Sequence, residues 1–79
     1  MRTFLTTQVT GGRKATVDTD WHLRKVYLRF PGEREEVVYE VKASKFRQRF
    51  FRKRIHKELQ ERENRVVALL LKSGYEEVF

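Results

Sequence analysis

The chain has 79 residues, a formal net charge of +7 at pH 7 and no cysteine. This length predicts one domain over residues 1–79, near the size at which a single hydrophobic core becomes marginal. The absence of cysteine excludes disulfide cross-links and thiolate metal sites, and no apolar run is long enough to span a bilayer. No signal-peptide pattern stands at the N-terminus, so we expect a cytoplasmic protein without a membrane partner.

The first predicted element is a β-hairpin rich in threonine and valine, which favour strands. Its strands are predicted over Phe4–Thr10 and Lys14–Thr19, on either side of two glycines. Leu5 and Val9 share one face of the first strand, and the buried face sets the register. We therefore expect Val9 to lie opposite an odd-numbered residue, where the second strand has its apolar face. The loop would then be Gly11-Gly12-Arg13.

A second hairpin is predicted from Trp21–Phe30 and Glu35–Ala43, joined by the turn sequence Pro31-Gly32-Glu33-Arg34. A four-residue loop predicts these cross-strand pairs: Phe30 with Glu35, Leu28 with Val37, Val26 with Tyr39, Arg24 with Val41, Arg29 with Glu36, Tyr27 with Val38, Lys25 with Glu40, and Leu23 with Lys42. Two of these pairs join opposite charges, and such pairs stabilise a sheet. We therefore interpret the face with Tyr27 as nearly neutral and solvated rather than as a platform for RNA bases.

The last long element is a helix predicted over Lys45–Lys72, with Ser44 as its N-cap and Gly74 as its C-terminal stop. Helical spacing places one stripe on the sheet: Phe51, Ile55, Leu59, Arg62, Val66, Leu69 and Leu70. A break near Glu63-Asn64 is an alternative. Tyr75–Phe79 is predicted as a short fifth strand, with a docked tail as the alternative.

These elements together predict an α+β fold. We expect an antiparallel four-stranded sheet of two hairpins, packed on one long C-terminal helix, with the short fifth strand as an addition. Val67 and Leu71 are apolar on the side of the helix away from the stripe, so something must cover them. The cover is either the C-terminal tail or a second copy. The second alternative is a homodimer through Val66, Val67, Leu70 and Leu71.

The whole charge surplus lies in the first half of the predicted helix. Residues 44–57 hold seven Lys or Arg and no acid, while the charges of all other residues sum to zero. This footprint is typical of polyanion binding, because Lys and Arg neutralise phosphates and release counterions. Phenylalanines on the same surface are suited to contact bases. The alternative interpretation is a solvated helix whose phenylalanines pack under the N-terminal hairpin.

We therefore expect a non-catalytic nucleic-acid-binding protein that contacts phosphates of DNA or RNA with low sequence specificity. The residues expected at its site are Lys45, Phe46, Arg47, Arg49, Phe50, Arg52, Lys53, Arg54 and Lys57. The alternative is a protein-binding adaptor or inhibitor that docks the basic helix on an acidic partner. A membrane-surface helix is the least favoured alternative, since the apolar face of the helix is expected to pack on the sheet.

The two histidines, His22 and His56, are the residues that would carry acid–base catalysis. Such catalysis requires both in one cleft, and nothing in the spacing brings them together. Asp18, Asp20 and His22 form the pattern D-x-D-x-H, which in a turn is more often a polar turn than a metal site. No phosphate-binding loop and no nucleophile elbow is present. We predict no enzymatic activity, no cofactor and no metal.

Overall fold

The computed structural model describes residues 1–6 and 13–78, which form an antiparallel sheet of five strands and two consecutive helices. The strands are β1 (Arg2–Thr6), β2 (Lys14–Asp20), β3 (Lys25–Arg29), β4 (Glu36–Glu40) and β5 (Tyr75–Val78). The helices are α1 (Lys45–Phe50) and α2 (Arg52–Lys72). The strand order is β4-β3-β2-β1-β5, so the last strand pairs with the first. The α+β class is confirmed, with the short fifth strand completing the sheet.

The register of the first hairpin differs from the predicted one. Phe4 pairs with Ala15 and Leu5 with Lys14, so even-numbered residues of β1 lie opposite odd-numbered residues of β2. Phe4 is fully buried, whereas Leu5 lies on the outer face and is 36% exposed. The prediction chose the face of Leu5 and Val9 because two apolar residues mark it. The larger apolar surface of one phenylalanine ring decides the register instead. Val9 and the two loop glycines lie outside the described residues.

The predicted register of β3 and β4 is correct at one end of the hairpin. Lys25 pairs with Glu40 and Val26 with Tyr39, as predicted. A β-bulge then shifts the register by one residue, so that Tyr27 pairs with Val37 and Leu28 with Glu36. The four predicted pairs nearest the turn are therefore wrong: Leu28 with Val37, Tyr27 with Val38, Arg29 with Glu36, and Phe30 with Glu35.

The connection between β3 and β4 begins with a tight turn. The backbone N–H of Glu33 donates to the carbonyl oxygen of Phe30 at 3.1 Å, and Gly32 has a φ of 74°. This is a two-residue turn over Pro31 and Gly32, with glycine at the position that needs positive φ. Because β3 ends at Arg29 and β4 begins only at Glu36, the connection extends beyond this turn. The strands start one residue out of the predicted register, with Leu28 opposite Glu36. The bulge at Val38 brings them into it.

The predicted single helix is two helices. Phe51 separates them, with a φ of −123° and a ψ of 35°. The Ser44 hydroxyl caps α1 as predicted, because it accepts a hydrogen bond from the backbone N–H of Arg47 at 3.2 Å. Past Phe51, α2 is continuous through Glu63-Asn64, so the alternative break is wrong. No proline or glycine marks the true break, which therefore lacks the usual sequence signal for a kink.

The hydrophobic core lies between one face of the sheet and α2. Four residues of the predicted stripe are buried in it: Ile55, Leu59, Val66 and Leu70. Phe51 and Leu69, which were predicted on the sheet, are 42% and 59% exposed. Glu63 and Val67 are buried instead. The buried stripe of α2 is therefore centred on the side of residues 63 and 67 rather than of residues 62 and 69.

Because the buried stripe of α2 lies on this side, most of the predicted homodimer surface is buried within the chain itself. Val66, Val67 and Leu70 belong to the core of their own chain, and only Leu71 of the four is exposed, at 51%. The tail is a strand that pairs with β1. Neither α1 nor α2 combines enough length with enough apolar character to cross a membrane.

One arginine joins the two ends of the chain to α2. Arg2 of β1 donates from Nε to Oε2 of Glu77 at 2.6 Å, and its Nη2 donates to the other carboxylate oxygen. Its Nη1 lies 3.5 Å from Oε1 of Glu63, the buried acid of α2. The hydrogen bonds from Arg2 lower the pKa of Glu77, and the hydrogen bonds to Glu77 raise the pKa of Arg2. We call Arg2, Glu63 and Glu77 the ion-pair cluster.

Candidate nucleic-acid interface

The predicted site residues lie on one segment, residues 44–57, which we call the basic arm. It consists of α1, Phe51 and the first turns of α2. None of the α1 residues is buried, and its main packing neighbour is α2 rather than the sheet. Ile55 is the one buried residue of the arm, and it packs into the hydrophobic core. The arm is therefore a mainly exposed surface segment with one buried residue.

Most cations of the basic arm are exposed and unpaired. Within residues 1–6 and 13–78, these six side chains form no ion pair with a carboxylate: Lys45, Arg49, Arg52, Lys53, Arg54 and Lys57. Like charges held close together raise the local potential, which attracts anions. The structure thus exposes these six predicted residues along the basic arm.

Arg47 is the exception among the predicted site residues. Its Nη2 lies 3.5 Å from Oε1 of Glu58 on α2, and its Nη1 donates to the carbonyl oxygen of Lys42 at 3.4 Å. Its guanidinium therefore connects α1 both to α2 and to the segment after β4. Arg47 helps to hold the arm in place, and part of its charge is neutralised inside the chain.

Three phenylalanines form an exposed cluster within the basic arm. The ring centroids of Phe46 and Phe50 are 4.8 Å apart, and those of Phe46 and Phe51 are 6.2 Å apart. Phe46 and Phe50 are 63% and 62% exposed. The alternative that these rings pack under the N-terminal hairpin does not agree with this exposure. Single exposed apolar side chains are normal on a protein surface, whereas a cluster of exposed apolar rings marks an interaction surface.

Arginines lie against two of these rings. The guanidinium of Arg49 is 5.5 Å from the ring centroid of Phe50, and that of Arg54 is 5.7 Å from the ring centroid of Phe51. Cations and aromatic faces are thus interleaved along the arm. Phe51 is a site residue that the sequence prediction missed. Helical spacing placed it on the sheet, whereas the structure has a break between α1 and α2 at this residue and its ring centroid 6.2 Å from that of Phe46.

A cleft of about 460 Å³ lies beside the basic arm, next to the loop between β2 and β3. Its lining residues are Trp21, His22, Arg24, Gln48, Arg52, Ile55 and His56. The Trp21 ring stacks on the His56 ring, with centroids 4.8 Å apart and an interplanar angle of 29°. Both histidines therefore line one cleft, although their spacing in the sequence gave no reason to expect it.

The loop that carries this tryptophan is shaped by the preceding aspartate. One carboxylate oxygen of Asp20 accepts hydrogen bonds from the backbone N–H groups of His22 and Leu23, at 3.0 Å and 2.9 Å. Asp20 thus forms an Asx turn, which is the polar-turn interpretation of the D-x-D-x-H pattern. The Oδ1 atom of Asp18 lies 3.7 Å from the N-terminal ammonium group. Among the described His, Asp and Glu side chains, no three converge as metal ligands would.

Comparison of the chain with protein-family models, with curated proteins and with solved structures finds no match in any of the three. The function is therefore inferred from the geometry of the basic arm and of the neighbouring cleft.

Proposed function

We propose that the protein is a non-catalytic nucleic-acid-binding protein whose basic arm contacts the phosphates of DNA or RNA with low sequence specificity. One observation carries this proposal: the basic arm combines six exposed cations, without a carboxylate partner in the described residues, with an exposed cluster of phenylalanines. A cytoplasmic location stays a prediction from the sequence.

The unpaired state of these cations favours a polyanionic ligand. Neighbouring like charges repel one another over roughly the Debye length of about 8 Å at physiological salt. A phosphate backbone relieves that repulsion and releases its own condensed counterions. Arginine adds specificity for phosphate, because its planar guanidinium donates two parallel hydrogen bonds to phosphate oxygens. Arg49, Arg52 and Arg54 are the arm's unpaired arginines within the described residues.

The phenylalanines favour nucleic acid over an acidic protein surface. Aromatic rings stack on bases of any sequence, since every base has a π-face. Gln48 is the one side-chain amide of the arm, and its Nε2 already donates to the carbonyl oxygen of Ala43 at 2.8 Å. The side chain best suited to read an adenine edge is thus used within the fold. This arrangement supports binding with little sequence preference.

The proposal is tested by fluorescence anisotropy of labelled single- and double-stranded oligonucleotides across a salt series. If about five phosphates are contacted, the log–log slope of affinity against salt should be about −4 to −5 on duplex DNA. The triple variant Arg52→Glu, Lys53→Glu and Lys57→Glu should lose at least about 100-fold in affinity at low salt. Circular dichroism should show that it keeps the fold, since all three side chains are exposed.

The matched control is a second triple reversal at exposed cations outside the arm: Arg13→Glu, Arg34→Glu and Arg65→Glu. Both variants have the same net charge, so the comparison separates the arm from the overall charge of the protein. An equal loss in both variants, or an affinity that does not change with salt, would contradict the proposal. Retention of no nucleic acid, with co-purification of a single acidic protein, would favour the adaptor alternative.

A further inference from the structure

The cleft beside the basic arm has the size and lining of a site for one nucleotide. Its volume of about 460 Å³ lies within the range of about 300–1,000 Å³ that is usual for small-molecule sites. None of its described lining residues is acidic, and two arginines line it, Arg24 from the loop before β3 and Arg52 from the start of α2. The electrostatic character of the cleft therefore favours an anion.

The aromatic side chains supply a surface for a base. Trp21 is 40% exposed, and its ring stacks on His56, which fixes the indole at the edge of the cleft. An indole held in this way has little conformational freedom to lose when a base stacks on it. Stacking is worth most for a base that has already left the duplex, because a paired base presents no free face.

Arg24 is held by hydrogen bonds within the chain whereas Arg52 is not, and this difference decides the role of each arginine in the cleft. Arg24 donates from Nε to the carbonyl oxygen of Val41 at 3.2 Å and from Nη1 to that of His22 at 3.0 Å. Its guanidinium is therefore fixed, with Nη2 not engaged by either bond. Arg52 is exposed and forms no ion pair within the described residues. A phosphate that follows the base would thus meet one fixed and one adaptable donor.

We propose that this cleft receives one unstacked base and its phosphate from a single-stranded segment, with the base on Trp21 and the phosphate on Arg24 and Arg52. The inference rests on the proposed function and deepens it. The basic arm binds any phosphate backbone, whereas the cleft makes the protein prefer single strands over duplexes.

Trp21 is the only tryptophan of the chain, so its emission reports on the cleft alone. The protein is titrated with an unlabelled single-stranded oligonucleotide of about 10 nucleotides, a common site size for single-strand binders. An abasic oligomer of equal length and a nucleoside monophosphate serve as the comparison ligands. We expect quenching that saturates with the single strand and is absent with the abasic oligomer. Quenching by the monophosphate but not by the single strand would overturn the inference.

A variant adds a second readout. Trp21→Ala should weaken single-strand binding by roughly tenfold while duplex affinity changes by less than about twofold, because only the stacked base is lost. Leu23→Ala is the matched control, since Leu23 lies in the same loop, is 48% exposed and does not line the cleft. An equal loss on both ligands in Trp21→Ala would overturn the inference.

The outcomes distinguish this inference from the proposed function. If anisotropy shows salt-dependent binding while tryptophan emission stays constant, the cleft inference fails and the role of the basic arm stands. If no oligonucleotide changes either signal, both fail.

Discussion

The ion-pair cluster and the basic arm use the same residue type in opposite ways. Arg2 is surrounded by two carboxylates, one from α2 and one from β5, and it joins segments that are 61 and 75 residues apart in the sequence. In the basic arm, the one carboxylate contact within the described residues is that of Arg47 with Glu58 at 3.5 Å. Carboxylates therefore pair with Arg2, which holds the fold together, whereas Arg49, Arg52 and Arg54 of the basic arm form no ion pair within the described residues.

Buried and exposed residues are separated in a similar way along the two helices. The part of α2 after the arm packs its buried stripe on the sheet, while α1 contributes no buried residue. Mutual repulsion of the arm's cations opposes folding weakly, because exposed charges are screened by water and salt. We therefore expect substitutions in the two regions to act on different measurements.

The largest loss of stability is expected for Leu59→Ala. Leu59 is fully buried at the centre of the contact between α2 and the sheet. Its truncation should lower the free energy of unfolding by about 2–5 kcal/mol, because the lost apolar contact and the cavity left behind both destabilise the folded state. Urea unfolding measures this change. A domain this small has little stability to lose, so the variant is expected near its folding limit.

The control for this variant is Leu71→Ala on the same helix. Leu71 is 51% exposed, so its truncation should change the free energy of unfolding by less than about 0.5 kcal/mol. If Leu71→Ala were as destabilising as Leu59→Ala, Leu71 would be buried in solution. A second copy of the chain would then be the natural cover, and sedimentation would detect it.

A smaller, pH-dependent loss is expected from the ion-pair cluster. The hydrogen bonds from Arg2 lower the pKa of Glu77 below its ordinary value of 4.5. The folded state thus binds the proton less readily than the unfolded state, and this contribution to stability is fully present above about pH 4.5. It is lost as the pH falls from there through the lowered pKa. Urea unfolding at several pH values between neutral and acid measures this loss.

The Glu77→Gln variant isolates that contribution. It should be less stable than the wild type at neutral pH, and the difference should shrink as the pH falls, because the wild-type carboxylate becomes protonated. Glu76→Gln is the matched control, since Glu76 is exposed on the other face of β5 and forms no ion pair in the described residues. A constant difference between Glu77→Gln and wild type at all pH values would contradict the assignment.

The same comparison shows which features a sequence reveals. Local spacing identified the buried positions Ile55, Leu59, Val66 and Leu70, because a helical period is visible within a few residues. Charge clustering identified the basic arm in the same way. The exposure of Phe46 and Phe50 agrees with the face that the period assigned to them.

Features that depend on distant residues were not predictable. Arg2 meets Glu63 and Glu77 only because β5 returns to pair with β1. Trp21 meets His56 only because an Asx turn ends β2 beside the first turns of α2. Local periodicity contains none of this information.

The smallest effect on stability, with a clear effect on binding, is expected for the double variant Phe46→Ala and Phe50→Ala. Both rings are more than half exposed, so the free energy of unfolding should change by no more than about 0.5 kcal/mol in total. Alanine also has the highest helix propensity, which offsets the lost contact between the two rings. Affinity for single strands should fall by roughly tenfold if one base or sugar packs on the cluster.

Parallel urea unfolding and anisotropy measure both quantities, and the triple reversal at the control cations Arg13, Arg34 and Arg65 serves as the binding reference. A loss of more than about 1 kcal/mol with unchanged affinity would assign the rings to the fold, and the contrast between the basic arm and the ion-pair cluster would then not hold.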